Sequence, residues 1–150
     1  MIDAQAEFTV RPIGLIHTPF ADSPGMPIQA ARSEAVGRVE VYAEYVPGLA
    51  DLNGFSHVIL VYWFHRAGDF SLAVRPFLDD RSHGLFATRY PTRPNPIGLS
   101  VVELVAVEGG ALHVRGVDML DETPLLDIKP FVAAFDHRED VRVGWLTGRV

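Results

Sequence analysis

The sequence contains no cysteine, and only one of its 13 basic residues, Lys129, is a lysine. Without cysteine there is no disulfide, no thiolate nucleophile and no thiolate metal ligand. Long apolar runs are missing too: the longest, 58–64 (VILVYWF), is too short to cross a bilayer. The opening MIDAQAEFTV has neither a basic start nor the apolar stretch of a secretory signal, so a cytoplasmic protein with no membrane segment is expected. No G-x-G-x-x-G turn follows a strand pattern and no P-loop is present, which removes the common nucleotide cradles. G-x-S-x-G and H-E-x-x-H are absent as well, so hydrolase chemistry has no support. His17, His57, His65, His83, His113 and His137 do not fall at compact metal-ligand spacing, and no metal site is expected.

What is present has the size of one domain: 150 residues, 48% of them hydrophobic, with no repeat or linker. The formal net charge of -6 argues against a generally cationic nucleic-acid binder. Locally the balance reverses. Between 66 and 93, Arg66, Arg75, Arg81, Arg89 and Arg93 stand against Asp69, Asp79 and Asp80, a surplus of two positive charges. Arginine in place of lysine favours directed, bidentate contacts, although a genomic preference for arginine codons gives the same bias.

Hydrophobic residues mostly recur with period two. Segments 8–17, 36–42, 56–65, 71–77, 85–88, 98–107 and 111–118 are rich in Val, Ile, Leu and aromatics and are broken by Gly, Pro or Asp, so they read as strands. Glu108, Gly109 and Gly110 form a hairpin turn. Segment 46–53 suits one helical turn, and 136–149 suits either a strand or a helix. The fold class is therefore mainly β: a sandwich or a closed or partly closed barrel of one domain, with short helical connections.

Between two of these segments lies 87–100, ATRYPTRPNPIGLS. Pro91, Pro94 and Pro96 fix their own φ and push the preceding residues toward extended backbone, so the loop should be stiff. On that frame Arg89 and Arg93 present forks suited to carboxylate or phosphate, and Asn95 presents a donor and an acceptor. An ordinary proline-rich turn with Gly98 as its bend is the alternative.

The string HGLFATRYPTRPNPIGLSVVEL, with GFSHVILVYWFHR before it and VDMLDETPLLDIKPFV after it, resembles the TsaA/TrmO family over residues 11–136. The resemblance implies a β-barrel, a likeness to S-adenosylmethionine-dependent methyltransferases of tRNA, and a cofactor site near a homodimer interface. The family's Pro-Arg-Gln segment corresponds to Pro27, Ile28 and Gln29, followed by Ala30 and Ala31; Gln29 fits and Ile28 replaces the arginine. His65 and Arg66 end the longest apolar strand and would sit at the barrel rim. Arg89 would grip the cofactor and Leu99 would pack on its adenine. Arg115, Gly116, Val117 and Asp118 match the strand that leads into the family's acidic turn, with Asp118 an acceptor for ribose or amino hydrogens. That turn reads Asp121, Glu122, Thr123, Pro124 where the family commonly has glycine second, and Glu122 implies that positive φ is not needed there.

Asp127 and Lys129 lie two apart on a strand that Pro130 would end, so they share a face. They form a structural ion pair, or Lys129 contacts RNA phosphate. Tyr62, Trp63 and Phe64 read as core or dimer packing rather than base-stacking platforms. Methyl transfer from a sulfonium to a nitrogen needs alignment and exclusion of water more than acid or base chemistry. Asn95 is the residue expected to orient the acceptor, and Arg93 to engage RNA. The expected acceptor is threonylcarbamoyl-adenosine beside the tRNA anticodon. Bacterial members acting on tRNA often carry a further C-terminal domain that this sequence is expected to lack; another acceptor, or a binding module without turnover, is the alternative.

Overall fold

Along 57–63 every second side chain, Val58, Leu60 and Tyr62, is buried, and the same period recurs through Gly98, Ser100, Val102 and Leu104. Such alternation suits a sheet with one face on a core and the other outward. The computed structural model describes residues 3–22 and 33–150. Its strands are β1 Gly14–His17, β2 Val36–Val41, β3 His57–Trp63, β4 Ala73–Val74, β5 His83–Gly84, β6 Ile97–Glu108, β7 Ala111–Arg115 and β8 Thr123–Pro130. Six of them close a barrel in the order β1-β2-β7-β6-β3-β8, every neighbouring pair antiparallel. Closure comes from β1, which pairs with β2 on one side and β8 on the other, so the barrel has no free edge.

Ile16, Val39, Val58, Leu60, Leu112, Val114 and Leu125 are fully buried inside it. Burying each such side chain contributes about 1.5–3 kcal/mol before chain entropy is subtracted. The register shifts at Val61/Tyr62 and at Leu104/Ala106, and these irregularities bend the strands into the closed curve. One end is capped by the 3-10 turns Ala43–Leu49 and Leu52–Gly54, which bring Tyr45, Val46, Leu49 and Leu52 against the core. At the opposite rim β1, β3 and β7 end while β2, β6 and β8 begin. Residues 64–96 make a long excursion there and carry the short ribbon β4–β5.

The barrel and the Gly109 turn agree with the sequence reading, and four segments depart from it in whole or in part. Residues 85–87 form a 3-10 turn rather than a strand, because Leu85 is buried inward while Phe86 projects out and Thr88 caps the turn through Leu85 O. In 8–17 and 71–77 only Gly14–His17 and Ala73–Val74 find strand partners. Segment 136–149 becomes neither strand nor long helix: it follows the single α turn Ala133–Asp136 and contains the 3-10 turn Gly144–Leu146. Gly98 is not a bend. It lies inside β6 opposite Tyr62, and a Cβ there would collide with the Tyr62 ring.

Candidate functional site

The open rim gathers most of the residues expected to act. At its centre is a chain of hydroxyls. Tyr62, on the inward phase of β3, places its hydroxyl 2.8 Å from Ser100 Oγ, and Ser100 donates to Asp118 Oδ1 at 2.6 Å. Because the Ser100 proton is committed to the carboxylate, Tyr62 is the donor to Ser100. Burial, then the negative charge of Asp118, push the Tyr62 phenol well above its ordinary pKa, while Ser100 and the Arg89 guanidinium oppose the shift. Asp118 and Arg89 thus act electrostatically on one hydroxyl, although one follows β7 and the other lies in the proline-rich loop.

Around this centre the loops are tied to one another. Ser33 Oγ donates to Val117 O, and the backbone N–H groups of Gly116 and Val117 both donate to Ala35 O. Thr18 donates from its backbone to Asp121 Oδ1 at 2.9 Å and from its hydroxyl to Met119 O at 2.8 Å. Arg66 donates to Ala21 O at 3.1 Å. Desolvation and the neighbouring Arg66 hold His65 below the ordinary histidine range, against an opposing pull from Glu122. Glu122 adopts φ 61°, the left-handed region that the sequence reading took as not needed at this position. The correction has a local cause: Thr123 must turn back into the barrel to pair with Ile16, and its hydroxyl donates to Leu120 O across the turn.

In the proline-rich loop Arg93 donates to Thr88 O at 3.0 Å and Tyr90 O at 2.8 Å, with its guanidinium 5.8 Å from the Phe86 ring centre. Its cation therefore holds the loop together. Asn95 is exposed, its carbonyl accepting from Ile97 N, while its side-chain amide makes no hydrogen bond to another described residue. Leu99 points outward and is 61% exposed.

His65, Arg66, Arg89, Asn95, Gly116, Val117 and Asp118 come together at this rim, with Arg93 and Leu99 at its margin. Val117 is fully buried, with its N–H on Ala35 O and its carbonyl accepting from Ser33, so it stands behind the site, and Arg115 faces outward at 3.4 Å from Glu103. Lys129 stands apart, six residues along β8 from Thr123, or about 20 Å; it pairs with Asp127 at 3.0 Å, as the structural reading of that pair expects. Gln29, Ala30 and Ala31 lie outside the described residues. No group of three or more His, Asp or Glu able to hold a metal occurs among the described residues. No helix among them is long and apolar enough to cross a membrane.

The tRNA-methyltransferase O N-terminal domain model matches residues 15–137. The chain belongs to the TrmO family. A probable S-adenosyl-L-methionine-binding protein of Pyrococcus abyssi is 55% identical over 141 residues, covering 93% of this chain and 77% of that protein. A human tRNA (adenine(37)-N6)-methyltransferase is 37% identical over 138 residues, covering 87% of this chain and 31% of the enzyme. The crystal structure of TrmO from Pseudomonas aeruginosa superposes with a TM-score of 0.79 at 38% identity, covering 93% of this chain and 63% of that one. The chain thus spans less than two thirds of that solved TrmO and about a third of the human enzyme.

Sequence reasoning about this TrmO-family rim missed Tyr62 and Ser100 as polar participants. The signal was available: Tyr62 shares the phase of Val58 and Leu60, and a phenol aimed into a barrel needs a buried partner.

Proposed function

We propose that this protein is an S-adenosylmethionine-dependent methyltransferase acting on the exocyclic nitrogen of threonylcarbamoyl-adenosine beside the tRNA anticodon, in the cytoplasm. The observation that carries the reading is the convergence of Arg89 and Asp118 on the Tyr62–Ser100 hydroxyl pair at the barrel rim. A cation, an oriented carboxylate and an exposed leucine suit a ligand that carries a carboxylate, ribose hydroxyls and an adenine. Arg89 would bind the methionyl carboxylate, Asp118 would accept from ribose or amino hydrogens, and Leu99 would cover the adenine. When bound, the sulfonium supplies a methyl group already activated by its charge. The protein's own contribution is alignment: Asn95, exposed on a loop stiffened by three prolines, orients the acceptor nitrogen, and the closed barrel wall excludes water from one side.

The same reading places a second copy of the chain against the outer face of β3 and β6. There the cross-strand pairs Trp63–Ile97, Val61–Leu99 and Ile59–Val101 stack an apolar stripe. It is bordered by the ion pairs Asp127–Lys129 on β8 and Glu103–Arg115 across β6 and β7. Contiguous apolar surface with a charged border suits a partner, and Leu99 would join that interface to the cofactor site.

Nucleoside mass spectrometry tests the activity. Threonylcarbamoyl-adenosine in tRNA, incubated with the protein and S-adenosylmethionine, should gain one methyl group. Cofactor binding without that gain would move the function to another acceptor or to a binding module, a role in keeping with the name of the Pyrococcus abyssi relative.

A further inference from the structure

Away from the rim centre, a second cluster ties the segment 143–149 to the excursion that carries the arginines. Trp145 stacks on His83, their ring centres 4.3 Å apart and 21° from parallel. Its indole N–H donates to Ala87 O at 2.8 Å. Arg149 reaches Asp79 Oδ1 at 3.4 Å and returns to Trp145 O at 3.2 Å. Asp79 accepts from His83 Nε2 at 2.8 Å on its other oxygen, and its side chain is only 5% exposed. Asp79 also accepts from the backbone N–H of Asp80, so a single carboxylate closes the turn before β5 and receives the arginine. The segment is knit within itself as well: Leu146 N donates to Val143 O, and the Thr147 hydroxyl donates to Gly144 O.

The placement of the Trp145 contact decides what this cluster does. Ala87 O belongs to the residue immediately before Thr88 and Arg89. The next carbonyl, Thr88 O, is one of the two that Arg93 holds. One line of contacts therefore runs from His83 and Trp145 through Ala87 and Thr88 to Arg93, with Arg89 between its last two members. The Pro residues stiffen the far half of the loop, and in its near half Leu85 is buried and its N–H donates to Leu72 O.

We infer that the segment 143–149 is a brace for the arginine loop, and that Trp145 is a positioning residue that sets the backbone of Arg89 and Arg93 for use at the rim. The functional part of this inference rests on the methyltransferase reading; the brace itself does not. The brace rests on one ring stack and one neutral hydrogen bond, each a modest contribution. That is enough to change the open population of a loop about tenfold or more, and too little to unfold a closed barrel.

Three variants test it: Trp145→Ala, Trp145→Phe, which keeps the ring and loses the N–H, and Arg149→Ala. In Trp145→Ala, amide exchange within 85–93 should accelerate about tenfold while exchange in β3 and β6 stays unchanged. Trp145→Phe should give an intermediate acceleration, and Arg149→Ala should accelerate 79–84 more than 85–93. With tRNA and S-adenosylmethionine, Trp145→Ala should raise KM for tRNA about tenfold with a smaller fall in kcat, and Trp145→Phe should restore part of it. Unchanged exchange in 85–93, or uniform acceleration through β3 and β6, would overturn the brace. Accelerated exchange with an unchanged KM would overturn the positioning role. If the parent protein methylates no tRNA, the methyltransferase reading fails while the exchange measurement still decides the brace.

Discussion

Ser100 Oγ and Asp118 Oδ1 are 2.6 Å apart, and this contact orders the hydroxyl protons of Ser100 and Tyr62. Asp118 receives the serine proton, so the serine oxygen must accept from Tyr62, and the carboxylate is held by a hydrogen-bond chain that begins in the core. Ser100→Ala leaves a buried phenol without this acceptor and removes one donor from Asp118. It should cost about 1–3 kcal/mol and lower the thermal midpoint accordingly. Cofactor affinity by calorimetry should fall with it. Tyr62→Phe, which removes the donor and leaves no orphan, should cost about 0.5–1.5 kcal/mol, and the double variant should be less destabilised than the sum.

Gly98 has no room for a side chain, since a Cβ there would overlap the Tyr62 ring and approach Phe64 within 2.8 Å. Gly98→Ala should displace that ring, break its hydroxyl contact with Ser100, and destabilise by about 1–3 kcal/mol. A chemical denaturation curve with an unchanged slope and a lower midpoint would identify this as lost stability rather than a changed denatured state.

At Glu122 the sequence and the backbone disagree, and the disagreement can be measured. A left-handed non-glycine residue carries about 1–2 kcal/mol of strain. Glu122→Gly relieves it, part of the gain being returned as entropy of the unfolded chain, so a net stabilisation of about 0.5–1 kcal/mol is expected. Glu122→Ala keeps the strain and should not stabilise, which separates backbone from charge in a thermal melt.

His65 gives the pH dependence. Its proton affinity in the folded protein is below that of the unfolded chain, from desolvation and Arg66. The unfolded state therefore binds the proton better, and the stability associated with neutral His65 declines as pH falls through the ordinary histidine range toward the lower folded value. Proton NMR should show its ring titrating below an unperturbed histidine. In Glu122→Gly, which removes the charge that raises it, the midpoint should drop further.

Arg93 separates two roles for one cation. It holds Thr88 O and Tyr90 O, so Arg93→Ala should loosen the loop as well as remove a charge for RNA. Arg93→Lys retains the charge without the fork. Loss of tRNA turnover in both, with cofactor affinity retained, would assign the fork to the acceptor; lost cofactor affinity would assign it to Arg89.

Much of the architecture was legible because period-two burial is written directly in β3 and β6, and the Glu108–Gly110 turn announces its hairpin. Segment 85–88 misled because Leu85, Phe86 and Ala87 are apolar yet point to different surroundings, which a 3-10 turn allows and alternation does not reveal. Arg89 and Asp118 were readable through the family resemblance, their convergence only through the barrel. Tyr62 was legible as an inward phenol from its phase with Val58 and Leu60, but its partner Ser100 was hidden, because that pairing depends on a cross-strand register that no local window contains. The strain at Glu122 was misjudged because residue identity was taken as a guide to φ, whereas the turn is dictated by where Thr123 must enter β8.

The pairing of β1 with β8 has a kinetic consequence. It joins Gly14 to Leu125, so the barrel cannot close until almost the whole chain has been gathered. Folding dominated by such distant pairings runs on the millisecond-to-second scale rather than in microseconds. The mouth that carries Asp118 and Arg89 is bounded by that same seam. A ligand bound there would thus hold the barrel shut, slowing its opening more than it hastens its assembly.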